Sequence, residues 1–390
     1  DFNWNAFVSF HETHSLGIGT KNGVELINNY VGCENCHTGF QIDTYLDGCT
    51  HDCSYCFAKI EGERNNQWNN PFPVPLDITH IWKQLYLTFE AGTKEHQLSP
   101  FLEKRVPLRI GSLSDPFIPL EKKLHITKEL ITLLNYYKYP YLIITRSDLV
   151  SEKEYLEILN PELSSVHISI PSLNAEKTKL IEPGAPSPQR RIETIRILRE
   201  EGIWVTARIN PLFPVLKDES LSSGMTFSDV DESERLDFYT DQLVIELSKV
   251  KCQSILVGFV SLRSSSLDEL SDKIGFPLRS LMKNEKGDFY FSEKEISSYF
   301  KHIHKLSRQY EMDFTTCYLG QESGQYFKNQ NLWSNKKDCC NVLNKVSAHE
   351  TTSLSIDRQN NLKGKDISKS LLHKVTLKLL QYILKAVDKK

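Results

Sequence analysis

The chain has 390 residues, 39% hydrophobic and 25% charged, enough for one large domain or two ordinary ones with a buried core. Its formal net charge of −3 excludes an overall basic field, so any surface for nucleic acid must be local. The nine cysteines are odd in number and clustered, in a chain too long to need disulfide staples; this favours metal ligation in a reducing cytoplasm, and neither a membrane-spanning apolar run nor a signal peptide is visible.

Residues 1–40 form an N-terminal extension whose Phe2, Trp4, Phe7 and Phe10 are expected to pack on the main domain. Cys33 and Cys36 follow with C-x2-C spacing, half of a metal site. Cys339 and Cys340 could supply the other half, closing four thiolates around structural zinc or an auxiliary 4Fe–4S cluster. Four independent reduced thiols is the plainer reading of the same residues.

From residue 40 short β-rich runs alternate with helical ones. Strands are expected near 41–47, 106–111, 141–145, 165–170, 204–209 and 254–260. Helices are expected near 77–92, with Asp77 as cap, and near 126–138, 152–159, 188–201, 233–249 and 293–310. Gly202 should stop the fourth of these. Residues 215–232, rich in Ser and Asp, read as a surface loop. Strands that alternate with helices argue for parallel βαβ units, and six of them suggest an open, partial α/β barrel over residues 41–320. In such folds chemistry gathers where strand C-termini meet the following loops. The C-terminal extension, 321–390, ends in an amphipathic stretch. From Lys363 to Lys390 it carries eight lysines against two aspartates, with Leu371, Val375, Leu379, Ile383 and Val387 on one stripe. A helix docked on the domain with a solvated lysine face explains that pattern, and a nucleic-acid or partner contact is the sharper alternative.

The first expected strand runs into Gly48-Cys49-Thr50-His51-Asp52-Cys53-Ser54-Tyr55-Cys56, which sets three cysteines in C-x3-C-x2-C spacing. Three thiolates are one short of the four that close a zinc or iron–sulfur site, so a cubane held this way keeps one iron open to a small molecule. A zinc loop with its fourth ligand elsewhere is the competing reading.

This loop, the Gly111–Pro116 stretch, Thr145-Arg146-Ser147-Asp148-Leu149, and Glu182-Pro183-Gly184-Ala185-Pro186-Ser187-Pro188 with Arg190, Arg191 and Glu193 together resemble the spore photoproduct lyase-like branch of the radical S-adenosylmethionine (SAM) superfamily. The resemblance covers roughly residues 40–265 and implies a partial (βα)6 barrel. It implies that Cys49, Cys53 and Cys56 hold a 4Fe–4S cluster fed by a reductant such as flavodoxin or ferredoxin. The cluster would reduce bound SAM to methionine and a 5′-deoxyadenosyl radical that abstracts hydrogen from the substrate. Matching positions suggest further roles. Tyr55 would lie near the adenine. Ser112, Ser114 and Asp115 would receive the SAM amino group. Arg146 would pair with the SAM carboxylate. Ser169 would bond the ribose or carboxylate, and Arg208 would reach the substrate or SAM. Spore photoproduct lyases carry a hydrogen-donating cysteine where this chain has Ser112, whose O–H bond is too strong for that task; Cys317 is a candidate substitute, though a structural thiol is the simpler reading. By family analogy the first substrate class is nucleic acid or a nucleotide, in repair or modification, with a peptide or small metabolite as runner-up. The reading from a different class is a non-catalytic, zinc-bearing nucleic-acid-binding protein.

Overall fold

Strands buried on both faces form the centre of the molecule, as parallel strands covered by helices must be. The computed structural model describes residues 41–59, 73–92, 102–213, 241–275, 278–285, 287–317, 326–335, 338–342 and 345–346. The aromatic N-terminal extension, Cys33 and Cys36, the 215–232 loop and the lysine-rich stretch from 363 lie outside the described residues. In chain order the strands are β1 (Gln41–Ile42), β2 (Tyr45–Leu46), β3 (Val74–Pro75), β4 (Leu108–Ile110), β5 (Tyr141–Thr145), β6 (Ser164–Ser169), β7 (Trp204–Leu212), β8 (Ser254–Phe259), β9 (Leu262–Arg263), β10 (Lys283–Glu285), β11 (Asp288–Tyr290) and β12 (Asp313–Thr316).

Seven of them form one sheet in the order β1-β4-β5-β6-β7-β8-β12, every pair parallel. This is the expected open barrel. The six strands read from the sequence are present, and β12 extends the sheet by one. Ile42, Ile110, Ile143, Val166 and Val205 stand register to register across it. They belong to the core shared with Leu130 and Leu134 from helix Ile126–Tyr136, Ile195 and Leu198 from helix Pro188–Glu200, and Phe300 and Ile303 from helix Glu293–Gln309. Helix Ile78–Phe89 starts where expected, with the Asp77 carboxylate accepting from the Thr79 N–H at 2.9 Å. Gly202 ends helix Pro188–Glu200 at φ +77°.

Two departures matter for the site. The expected strand 41–47 is broken at Asp43: Gln41–Ile42 joins the main sheet, while Tyr45–Leu46 turns away to pair antiparallel with β3. The long insertion after β8 is ordered into helix Ser264–Ile274 and a small antiparallel sheet, β10-β11-β9.

Side chains alternate across the strands, so the neighbours of the helix-covered row point to the concave face. There Leu142 and Leu256, flanked by Ile144 and Cys317, meet Trp333, Cys339, Cys340, Val342 and Val346. The late segment is tied to strand beginnings. Asn341 Nδ2 donates to Ser254 Oγ at 3.3 Å and to Asp313 Oδ2 at 3.0 Å, and Lys345 Nζ lies 3.9 Å from the Trp204 ring centroid. The described residues between 333 and 346 therefore floor the barrel at its N-terminal end and leave the C-terminal end for the site. Among the described residues no helix is long and apolar enough to cross a membrane.

Candidate active site

The three-cysteine loop follows β2 at the C-terminal end of the barrel and is clamped from several sides. Cys56 N–H donates to Cys53 O and Asp52 N–H to Cys49 O, closing tight turns within the loop. Ser54 N–H donates to Ile181 O at 2.9 Å, and Gly184 N–H to His51 O at 3.0 Å, so the Glu182-Pro183-Gly184 turn lies against the loop. The approach is close: a Cβ at Gly184 would sit 1.9 Å from Thr50 O. A side chain at this position would force the turn away from the loop. From the insertion, Lys273 Nζ donates to Ser54 Oγ at 2.7 Å.

Cys49, Cys53 and Cys56 are free thiols, Cys53 buried and the other two half-buried. Burial, with smaller contributions from nearby groups, pushes Cys49 up to about 12 and Cys53 well above the ordinary thiol range; each of the other two cysteines adds to the rise at Cys53. Cys49 and Cys53, so raised, stay protonated unless a cation compensates them, which is the condition that metal ligation satisfies. Among the described residues no three His, Cys, Asp or Glu side chains converge as the ligands of a single ion would. Three thiolates with no fourth ligand in the loop suit a cubane, where each thiolate holds its own iron, better than a closed zinc site. The donor set therefore fits a 4Fe–4S cluster.

His51, inside the motif, is committed elsewhere. Its Nδ1 donates to Gly184 O at 3.1 Å and its Nε2 lies 3.1 Å from Asp115 Oδ2. Asp115 also accepts from Thr145 Oγ1 and from the backbone N–H groups of Arg146 and Phe117, at 2.7–2.9 Å. Burial raises its carboxyl, but His51 and these donors outweigh burial and hold it down to about 2. Asp115 thus couples the ends of β4 and β5 to the cysteine loop. Asp43 does the same for the Gly111–Pro116 stretch, accepting the N–H groups of Ser112, Leu113 and Ser114 at 2.7, 2.9 and 3.1 Å. Gly111 makes the turn at φ +85°. Ser112 Oγ donates to Gln41 Oε1 and accepts from Arg109, while Ser114 Oγ donates to Tyr45 O. The strand-end serines expected near SAM are therefore engaged with the β1–β2 segment, and Asp115 with His51 of the loop.

Tyr55 and Arg146 meet around Glu182, a residue of the Glu182–Pro188 segment to which spacing alone assigned no role. Tyr55 OH donates to Glu182 Oε1, and Arg146 Nε donates to the same oxygen at 3.1 Å; Arg146 Nη2 lies 3.2 Å from the Tyr55 hydroxyl. On the other side Arg191 Nη2 lies 2.5 Å from Glu182 Oε2, close but poorly aligned for a hydrogen bond, so charge holds this pair. Burial raises Glu182, but Arg191 and Arg146 overcome it and keep the carboxyl below its usual range. Arg191 and Glu182 are fully buried, whereas the Arg146 side chain is 22% exposed, the one end of the group that a ligand can reach. Arg191 Nη1 also donates to Ser169 O at 2.9 Å, which fixes the end of β6. Arg208, on β7, points into the lumen beside His167 and Cys317. Cys339 and Cys340 are buried in the barrel floor, 4% and 2% exposed; Cys33 and Cys36 lie outside the described residues.

The family model of the radical SAM superfamily matches residues 44–223. An uncharacterized protein of Methanocaldococcus jannaschii is 28% identical over 191 residues, 48% of this chain and 65% of that protein. A radical SAM Nalpha-GlyT isomerase of Pseudomonas phage M6 is 25% identical over 172 residues, 44% of this chain and 33% of that protein. The chain thus spans a third to two thirds of the length of these relatives. Among solved structures, a spore photoproduct lyase variant with bound AdoMet and dinucleoside spore photoproduct superposes with a TM-score of 0.54 at 13% identity, covering 77% of this chain and 81% of that one, a likeness of fold. The family match runs from the strand before the cysteine loop through β7, on an all-parallel open barrel that presents that loop at its C-terminal end: the chain carries a radical SAM superfamily domain over residues 44–223.

Proposed function

We propose that this chain binds a 4Fe–4S cluster through Cys49, Cys53 and Cys56 and uses SAM for hydrogen abstraction from a nucleic acid or nucleotide. The observation that carries the reading is the cysteine loop itself: three free, buried or half-buried thiols, with no fourth ligand in the loop, locked to strand ends by Asp115, Asp43 and the Gly184 turn. When bound, the cluster supplies the electron that splits SAM into methionine and the 5′-deoxyadenosyl radical. The chain's own residues bind, orient and exclude. Arg146 offers its exposed guanidinium edge to the SAM carboxylate while Glu182 holds its Nε. Tyr55, set edge-on against Phe213 at 5.5 Å, keeps the loop's apolar wall closed. The nucleic-acid preference follows the spore photoproduct lyase whose fold this chain shares and rests on that analogy; the electron would come from a flavodoxin- or ferredoxin-type partner. The test is anaerobic reconstitution, followed by iron analysis and measurement of 5′-deoxyadenosine after reduction with SAM present. Each of Cys49→Ala, Cys53→Ala and Cys56→Ala should abolish the product. Normal yield from any one of them, or colourless protein with stoichiometric zinc, sinks the assignment. Pools of DNA, RNA and peptide then identify the substrate class.

A further inference from the structure

Two buried arginines and one half-buried one stand at the site or in the lumen beneath it. Arg191 and Arg146 share Glu182. The third, Arg208, is 8% exposed and has no carboxylate partner among the described residues. Its Nη1 lies 3.3 Å from Nδ1 of His167, and its Nη2 3.7 Å from Sγ of Cys317. His167 is in turn fixed from below, with Nε2 3.1 Å from Cys340 O. A carbonyl only accepts, so Nε2 carries the hydrogen and Nδ1 offers a lone pair to Arg208. The imidazole is therefore neutral, and burial together with the arginine drives its pKa well below the ordinary value. A neutral ring and a thiol do not balance a guanidinium. A desolvated cation without a counter-charge is costly, and the fold spends Trp333, Cys340 and Val342 on building a floor beneath it. Above it the lumen opens: along the strands, Leu142 and Leu256 are fully buried, whereas Ile144, Asn210 and Cys317 are part-exposed. Two of the five guanidinium N–H groups are engaged, which leaves a donor edge for a planar oxyanion.

The geometry points to Arg208 as the anion-receiving group at the floor of the lumen, taking a carboxylate or phosphate of the substrate, with His167 and the Cys340 carbonyl as its positioning chain. The substrate is thus an acidic molecule or one carrying a phosphate. This deepens the radical SAM reading above and rests on it for the word substrate.

The test uses the reconstituted full chain and two probe anions, inorganic phosphate and acetate, titrated against chloride at constant ionic strength with thermal unfolding as readout. Wild type should show a saturable rise in Tm, and Arg208→Gln should bind the preferred anion at least tenfold more weakly. The rise should persist with saturating SAM. Phosphate acting alone indicates a phosphate-bearing substrate, and acetate acting alone a carboxylate. His167→Leu should weaken anion binding while His167→Gln, which can still donate to Cys340 O and accept from Arg208, should restore it. Four results overturn the proposal: no saturable shift in wild type; equal shifts in wild type and Arg208→Gln; equal anion affinity in His167→Leu and His167→Gln, the decisive pair if Arg208→Gln does not fold; and competition between SAM and the anion with a matching loss of SAM affinity in Arg208→Gln, which gives the arginine to SAM. Failure of the radical SAM reading shows separately, as absence of 5′-deoxyadenosine from wild type.

Discussion

Glu182→Ala should be the most informative single change. The Glu182 carboxylate is fully buried between Arg191, Arg146 and the Tyr55 hydroxyl, and Arg191 is equally buried. Truncation leaves Arg191 with only the carbonyls of Pro186 and Ser169, each 2.9 Å away, and no counter-charge. Removing one partner of a buried pair costs about 3–5 kcal/mol. With an unfolding entropy of about 2.1 cal/mol/K per residue, the 390 residues give roughly 0.8 kcal/mol/K, so Tm should fall by about 4–6 °C. Calorimetry of the reconstituted protein measures the fall, and iron analysis on the same samples should show poorer loading, since Tyr55 lies beside Cys56. If charge is the cause, Glu182→Met with Arg191→Met should recover most of the loss, because an apolar pair of similar volume needs no compensation. A Tm within 1 °C of wild type in Glu182→Ala refutes the buried-charge argument. A double variant no better than the single one shows that packing, not charge, was lost.

Arg146→Ala should weaken SAM binding by about 30- to 150-fold, the equivalent of 2–3 kcal/mol for a charge-assisted contact, and leave iron content unchanged; titration of the reduced protein with SAM measures it, and unchanged affinity rules the role out. Gly184→Ala should impair cluster loading, because its Cβ would lie 1.9 Å from Thr50 O and backbone must move; full iron content at wild-type Tm would contradict the close approach. Glu121 is buried under Tyr45 and Tyr155, and burial pushes its pKa up from 4.5 to about 7. Because the native state keeps this proton longer than the unfolded chain, its contribution, at most about 3 kcal/mol, is present below pH 4.5 and lost as pH rises through 7; Tm should fall from pH 5 to 8, and Glu121→Gln should flatten that slope. Metal analysis of the Cys49/Cys53/Cys56 triple alanine variant should find about one zinc or four irons per chain if Cys33, Cys36, Cys339 and Cys340 form a second site, and a folded, metal-free variant would eliminate that site.

The barrel was legible because its strands are short apolar runs separated by helical ones, and because Asp77 and Gly202 carry local signals that tertiary contacts did not override. The break at Asp43 was not legible. Its cause is a carboxylate that collects three N–H groups from residues 112–114, a contact across 69 or more positions that leaves no periodic mark. The cysteine loop could be read from spacing alone, yet the residues that hold it could not. His51 hides inside the motif, and its meeting with Asp115 depends on β4 pairing with β1, far from it in sequence. Glu182 stands 36 positions from Arg146 and 127 from Tyr55. The signal that could have found it is the excess of arginine around a proline-bearing turn, Arg190 and Arg191 just after Glu182-Pro183-Gly184, since buried cations need an acid nearby.

The same accounting separates the two ends of the lumen. At the upper rim each ionised group is answered within the protein: Asp115 by His51 and backbone N–H groups, Glu182 by two arginines, Asp43 by a nest of amides. Such matching makes the rim rigid, which a loop holding three irons in register requires. At the floor Arg208 is held in place by neutral groups and has no carboxylate partner among the described residues. Among the described residues this leaves one buried cation in the lumen without a carboxylate, at the position proposed above to receive the substrate. The cost of that arrangement is recovered when an anion arrives, so the lumen should favour acidic substrates over neutral ones of the same shape.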